Sequence, residues 1–393
     1  MVSLASSGEL QALEVPQLGS ETQARHMAWY HVPMPAGAFT GWRFEQAWAK
    51  AGPIIRFIVR QGFDVLIHSR GGDRRANHFA ARLLVELGVP LDQAIRRVRL
   101  AQPGALLGED ALTALSAIRY CPEPWPDMSA SAMEDRAKGA LLGLAAGDAL
   151  ASAQENGQWS SSTAMTLALA DSLLQRGQFD AADAMQRLRN WQETGAFSPS
   201  GVSGRRGTMT DDALSGVSAP DHTTDASLVR IAPLAIRYHN DRLTLRDAAI
   251  QQCLMTHAAP EAVDACLIFS EMLADAIQGT PPSQVLARSA GQGQGAFAAH
   301  IAERWRGRPR YELNPNGQAS HSLTAALWCV GRTGDFKQAV TLAAGLTPGQ
   351  GRLAAITGQL AGALYGQDAI PRPWLRSLPW RKKISPVADA LLP

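Results

Sequence analysis

The chain has 393 residues, 46% of them apolar and 18% charged. That length suits two domains, and that composition supplies packed cores and excludes a disordered tail protein. Lys plus Arg (37) nearly balances Asp plus Glu (35), a formal charge of +2 that argues against a dedicated nucleic-acid binder. In chain order, Asp64-Val65-Leu66-Ile67-His68 reads as a buried strand. It enters a polar, Gly-containing loop, residues 69–75, and then a helix at 76–87 with Phe79, Leu83, Leu84 and Leu87 on one face, stopped by Gly88. A second helix is expected at 91–100. Strand, loop and helix in that order predict an α/β domain over residues 1–125. Three prolines in Cys121-Pro-Glu-Pro-Trp-Pro126 mark the boundary. Beyond it the pattern is helical throughout: 136–150, 163–176, 181–194, 226–239, 245–257, 260–278, 322–331, 336–344 and 353–365. β-branched alternation is nearly absent, so residues 126–367 are expected to form an all-α domain. Residues 368–393, with five prolines and the run Arg381-Lys382-Lys383, are expected to be a Pro-rich basic tail along the surface.

No apolar run reaches the roughly 18 to 20 residues that cross a bilayer. Met1-Val2-Ser3-Leu4 has neither the basic stretch nor the apolar core of a signal peptide. Cys121, Cys253, Cys266 and Cys329 are far apart, form no CxxC pair and are expected as buried thiols. A cytoplasmic address without a membrane partner is the expectation from both.

His68, Ser69, Gly72 and Arg75 spell His-Ser-x-x-Gly-x-x-Arg between a strand and a helix. Backbone N–H groups and a helix N-terminus at such a loop make an anion nest, and an arginine there can fork onto two phosphate oxygens. The arrangement resembles the loop of cysteine-dependent dual-specificity phosphatases, with Ser69 where that family has its thiolate nucleophile. The resemblance covers about residues 1 to 120. It starts part-way into the usual domain, whose first elements are expected to be trimmed. It places the general-acid segment at Trp29-Tyr30-His31-Val32-Pro33-Met34-Pro35, with Ala36 where an Asp is usual, and puts Ala76 at the usual hydroxyl. Nucleophile, acid and auxiliary hydroxyl are all absent. The loop is expected to be catalytically inactive, with anion binding or a purely structural role remaining.

The helical half carries five ordered blocks: residues 136–150, Thr163-Ala164-Met165-Thr166, Arg230-Ile231-Ala232-Pro233-Leu234, Thr256-His257-Ala258 and residues 354–363. It resembles the ADP-ribosylglycohydrolases, which remove ADP-ribose from modified proteins or nucleic acids. That resemblance implies two Mg²⁺-type ions held by a Thr-Asp-Asp triplet and an Asp-x-Asp-Ser/Thr motif. Here the first falls on Ser160-Ser161-Ser162 and the second on Gly349-Gln350-Gly351-Arg352. Hard divalent cations need anionic oxygens, so no metal cofactor is expected. Thr210-Asp211-Asp212 spells the triplet elsewhere and reads as a helix cap. Asp148 could still reach a cavity, Asp225 stands in an altered ligand-facing turn, Glu155 is expected in the place of a family acid, and His257 reads as a core histidine.

These readings lead to an inactive double pseudoenzyme. Its ligand-binding candidates are His68, Ser69, Gly72, Arg75, Asp148, Ser160, Ser161, Ser162, Thr163, Asp225, Gln350 and Arg352. ADP-ribose, an ADP-ribosylated protein or an active partner subunit are the expected partners. The alternatives are an active ADP-ribosyl hydrolase using Asp211, Asp212 and Asp148, and a structural subunit of a complex.

Overall fold

The computed structural model describes residues 1–25, 27–35, 41–70, 74–103, 107–152, 158–203, 214, 223–288, 301 and 304–393. It divides into two compact units, Met1–Pro124 and Trp125–Pro393.

The first unit holds three short parallel strands in the order β2-β1-β3: β1 (Val2–Ser3), β2 (Tyr30–His31) and β3 (Ile67–His68). Val2 pairs with Tyr30 on one side and Ile67 on the other. Around them run α1 (Ser7–Ala12), α2 (Leu18–Ala24), α3 (Trp42–Arg60), α4 (Arg75–Glu86), α5 (Leu91–Ala101) and α6 (Glu109–Ser116). One core joins Val2 and Leu4 of the sheet to Phe44, Trp48 and Ile55 of α3 and Phe79 and Leu83 of α4. A smaller one joins Ala81, Val98, Ala111 and Leu115. The strand expected over 64–68 pairs only at Ile67–His68, and Leu66 is exposed. Edge strand β3 pairs with β1 alone, where the Leu66 and His68 carbonyls accept from the Val2 and Leu4 N–H groups. The unit is mainly helical with a minimal sheet. Its strongest helix, α3, has no counterpart in the sequence expectations.

The second unit is all-α. Its helices are α7 (Ala130–Ala151), α8 (Ser161–Arg176), α9 (Ala181–Thr194), a 3₁₀ turn (Asp225–Arg230), α10 (Ala232–Tyr238), α11 (Arg242–Leu254), α12 (Pro260–Gln278), α13 (Pro282–Ala287), α14 (Ala319–Gly331), α15 (Phe336–Leu346), α16 (Gly351–Tyr365), α17 (Arg372–Ser377) and α18 (Arg381–Leu391). At the centre α7 lies against α16. Gly139, Gly143 and Gly147 recur every four residues on α7, so they share one face. They meet Gly362, Gly358 and Ala354, which share a face of α16. A Cβ added at Gly143 would strike the backbone carbonyl of Gly358, and one at Gly358 would strike that of Gly143. The close approach of these two backbones therefore depends on missing side chains.

Residues 368–393 are not a surface tail. They form α17 and α18, and Ile384, Ala388 and Leu391 are buried. Helix α18 packs on α7, where Lys138 Nζ meets Asp389 Oδ1 at 2.8 Å. Its apolar residues recur at helical spacing, a stripe that prolines and a basic run obscure in the sequence. Cys253, Cys266 and Cys329 are buried, whereas Cys121 is partly exposed. Among the described residues no helix is long and apolar enough to cross a membrane.

Candidate functional site

In the first unit the loops leaving all three strands are joined by Arg75, at the start of α4. Its Nη2 donates to Glu9 Oε1 at 2.7 Å, and its Nη1 donates to Glu9 Oε2 at 3.0 Å and to the Met34 carbonyl at 2.8 Å. Glu9 follows β1, Met34 follows β2, and α4 follows β3. A capping box delivers Glu9: its backbone N–H donates to Ser6 Oγ, and the Ser6 N–H donates back to Glu9 Oε2. The Arg75 hydrogen bond, ahead of the Ser6 contacts, holds the Glu9 carboxyl down at about 2. An internal carboxylate thus occupies both arms of the Arg75 fork. His68 and Ser69 are partly buried at the end of β3. Burial pushes His68 below its ordinary value, against a backbone hydrogen bond at Ser69 that raises it. Gly72 and Ala36 lie outside the described residues.

In the second unit the candidate residues gather where α7 ends and α8 and α16 begin. Asp148, on the last turn of α7, is fully buried. Its Oδ1 accepts from Ser160 Oγ at 2.6 Å, and its Oδ2 accepts from Ser160 N at 3.0 Å, Thr163 N at 3.1 Å and Thr163 Oγ1 at 2.8 Å. Asp148 is therefore a cap on α8 supplied from another helix. Burial pushes its carboxyl up, against the four donors that pull it down. Ser160 is the N-cap of α8, and Ser161, Ser162 and Thr163 fill its buried first turn.

Asp225, at the start of the 3₁₀ turn, is also buried. Its Oδ2 accepts from Ser322 Oγ on α14 at 2.6 Å, and its Oδ1 accepts from Arg352 Nη1 on α16 at 2.8 Å. Burial raises this carboxyl, and the Arg352 charge opposes that rise. Arg352 keeps 38% of its side chain exposed while Asp225 keeps 4%. Gln350 is the exposed N-cap of α16, and Gly349 sits at φ 75°, a left-handed conformation that glycine adopts without strain. Gly351 matters differently: a Cβ there would strike Asp148 Oδ1. A side chain at 351 and the present seat of Asp148 exclude one another.

Beside Asp225, Thr224 Oγ1 bonds His257 Nε2 at 2.5 Å and Thr256 Oγ1 bonds His257 Nδ1 at 2.7 Å. His257 is thus a buried, hydrogen-bonded core residue. Thr256 in turn accepts from Arg230 at 2.7 Å. Sequence reasoning missed Ser322 and Glu9. Ser322 carried no signal, being one small residue in an apolar helix. Glu9 carried one, the Ser6-x-x-Glu9 capping spacing, but nothing that linked it to Arg75. Asp211, Asp212, Thr210 and Glu155 lie outside the described residues.

A model of the ADP-ribosylglycohydrolase family matches residues 129–393, and the chain belongs to that family. The ADP-ribosylarginine hydrolase Tri1 of Pseudomonas putida (strain GB-1) is 31% identical over 65% of this chain and 78% of the relative. The ADP-ribosyl-dinitrogen reductase glycohydrolase of Rhodospirillum rubrum is 27% identical over 67% of this chain and 98% of its own. A solved ADP-ribosylglycohydrolase-related protein complex is 32% identical, with a TM-score of 0.57, covering 66% of this chain and 98% of that one.

Proposed function

We propose that the second unit is a catalytically inactive ADP-ribosylglycohydrolase relative. It binds ADP-ribose-type ligands, an ADP-ribosylated protein or an active partner subunit, without a metal. The observation that carries this reading is the Arg352–Asp225 pair at 2.8 Å, which puts a guanidinium at the motif where the family resemblance expects ligands for a cation. Paired divalent ions require a cage of anionic oxygens, and the residues here do not fit one. The acidic motif positions hold Ser161, Ser162, Gly349 and Gly351. Asp148 already accepts four hydrogen bonds, and Asp225 already carries a cation. Among the described residues no three His, Cys, Asp or Glu side chains converge into a metal-binding group. No hydrolytic step is therefore derived through metal-activated water. What remains is recognition: Arg352, partly exposed, has further N–H donors for a phosphate oxygen. The first unit joins this reading as a phosphatase-like domain without a nucleophile, its Arg75 serving as a strut.

Titration calorimetry with ADP-ribose at low salt tests the proposal. Binding is expected to survive chelation of divalent metal and to weaken at least tenfold in Arg352→Ala. No heat with the unaltered protein, or an Arg352→Ala titration indistinguishable from it, removes the reading.

The runner-up is an active ADP-ribosyl hydrolase, favoured by relatives that are themselves named as hydrolases. Its carboxylates would be Asp148, Asp211 and Asp212. Release of ADP-ribose from an arginine-modified protein, abolished by a chelator, would establish it in place of the lead reading.

A further inference from the structure

We propose that the second unit carries a separate pocket for a phosphate-bearing small molecule, formed by residues 367–370, α17 and the first residue of α18. The pocket has a volume of about 460 Å³, and Arg372, Arg376 and Arg381 all line it, with Asp368 as its one carboxylate. Among the described residues no carboxylate or carbonyl bonds any of these three guanidinium groups. Other arginines of the unit behave differently. Arg176, Arg242, Arg246 and Arg288 each reach an Asp or Glu. Three exposed positive side chains around one hollow, against a single negative one, give it a positive local potential that attracts an anion. Arginine is suited to that role because its planar fork matches phosphate oxygens.

The accessible lining of the hollow is mainly polar, which suits a charged ligand. Ile370 and Leu375 line the same hollow and are 2% and 8% exposed. The backbone around them is held: Pro371 caps α17, Pro373 lies in its first turn, and the Ile370 N–H donates to the Gln367 carbonyl at 3.0 Å. A hollow of this size admits a nucleotide-sized molecule. The formal charge of +2 on the whole chain speaks for a discrete small anion over a nucleic acid. This pocket shares no lining residue with the Arg352–Asp225 site, and the two are separable by mutation.

The test is calorimetry at low salt on the full chain with ADP and with inorganic pyrophosphate. Three proteins are compared: unaltered, Arg372→Gln/Arg376→Gln, and Arg352→Ala. A signal weakened at least tenfold in the double variant and retained in Arg352→Ala supports the proposal. Within that result, tighter binding of ADP shows that the nucleoside adds contacts, and equal binding assigns the site to phosphate alone. No heat with either ligand overturns the proposal, as does binding that persists unchanged in the double variant. Should the double variant fail to fold by circular dichroism, Arg381→Gln carries the same comparison.

Discussion

Each unit pairs an arginine from a loop-to-helix junction with a distant carboxylate, but the burial is inverted. In the first unit the cation is inside: Arg75 is 4% exposed and Glu9 19%. In the second the carboxylate is inside: Asp225 is 4% exposed and Arg352 38%. A buried cation with both faces of its fork on one carboxylate has little left to offer a ligand. A half-exposed cation anchored by one N–H keeps donors facing solvent. The same residue type therefore serves as a strut in one unit and as a candidate anion receptor in the other. What decides the role is which partner was desolvated.

The most damaging way to break this contrast is to move the helices that hold the second pair. Gly143→Ala places a Cβ on the Gly358 carbonyl and forces apart α7, which carries Asp148, and α16, which carries Arg352. A loss of about 3 kcal/mol or more is expected from such overpacking, read by denaturant titration of the second unit's unfolding transition. Gly8→Ala in α1, where a Cβ meets nothing within 4 Å, is the clash-free control and is expected to leave stability unchanged or slightly raised. Next comes Asp148→Ala, which leaves the Ser160 and Thr163 donors without their acceptor. About 2 to 3 kcal/mol is expected, with α8 losing amide protection first in hydrogen exchange.

Arg352→Ala is expected to cost about 2 kcal/mol at neutral pH, because it leaves the buried Asp225 carboxylate without its cation, a loss that proton uptake by Asp225 only partly relieves. Burial already raises that carboxyl. A raised carboxyl binds a proton in the folded state that the unfolded chain releases, so stability falls as pH rises above the ordinary value of 3.8. The variant's melting temperature should accordingly approach that of the unaltered protein as the pH is lowered toward 4.

Glu9 has the opposite sign. Its carboxyl is held at about 2 against an ordinary 4.5, so the unfolded chain protonates first as acid is added. The stability it contributes is complete above 4.5 and is lost between 4.5 and about 2. Glu9→Gln should flatten that part of the first unit's acid melting profile and cost about 1 kcal/mol at neutral pH, since the carboxylate is near solvent. An unchanged acid profile would show that the Arg75 fork is not what holds this unit together.

Several helices are legible where one face is apolar and an end is marked, although α3, with Phe44, Trp48, Ile55 and Ile58 on its buried face, has no counterpart in that reading. Residues 181–194 and 260–278 were read to their termini, the first with Asp180 before it and Gly195 after it, the second opening on Pro260 and closing before Gly279. α18 was missed because Pro386 and the basic run masked the stripe of Ile384, Ala388 and Leu391. β3 is shorter than the apolar run suggests: the Leu66 carbonyl still accepts from the Val2 N–H at 2.8 Å, but only Ile67 and His68 stand in register with β1.

For the candidate site, local order in the chain was enough to place Ser160–Thr163 at a helix start and Gly349–Arg352 at another, and to show that acidic side chains are absent from both. Chain order also identified the family-like blocks, because they are contiguous. Which groups touch was decided by folding. Asp148 meets Ser160 across 12 residues, but Asp225 meets Arg352 across 127, and Arg75 meets Glu9 across 66. A carboxylate's role depends on its desolvation and its donors, and both are supplied by elements that no local pattern connects. The family resemblance could therefore point to the positions where acidic side chains are expected, while only packing revealed which groups those positions touch.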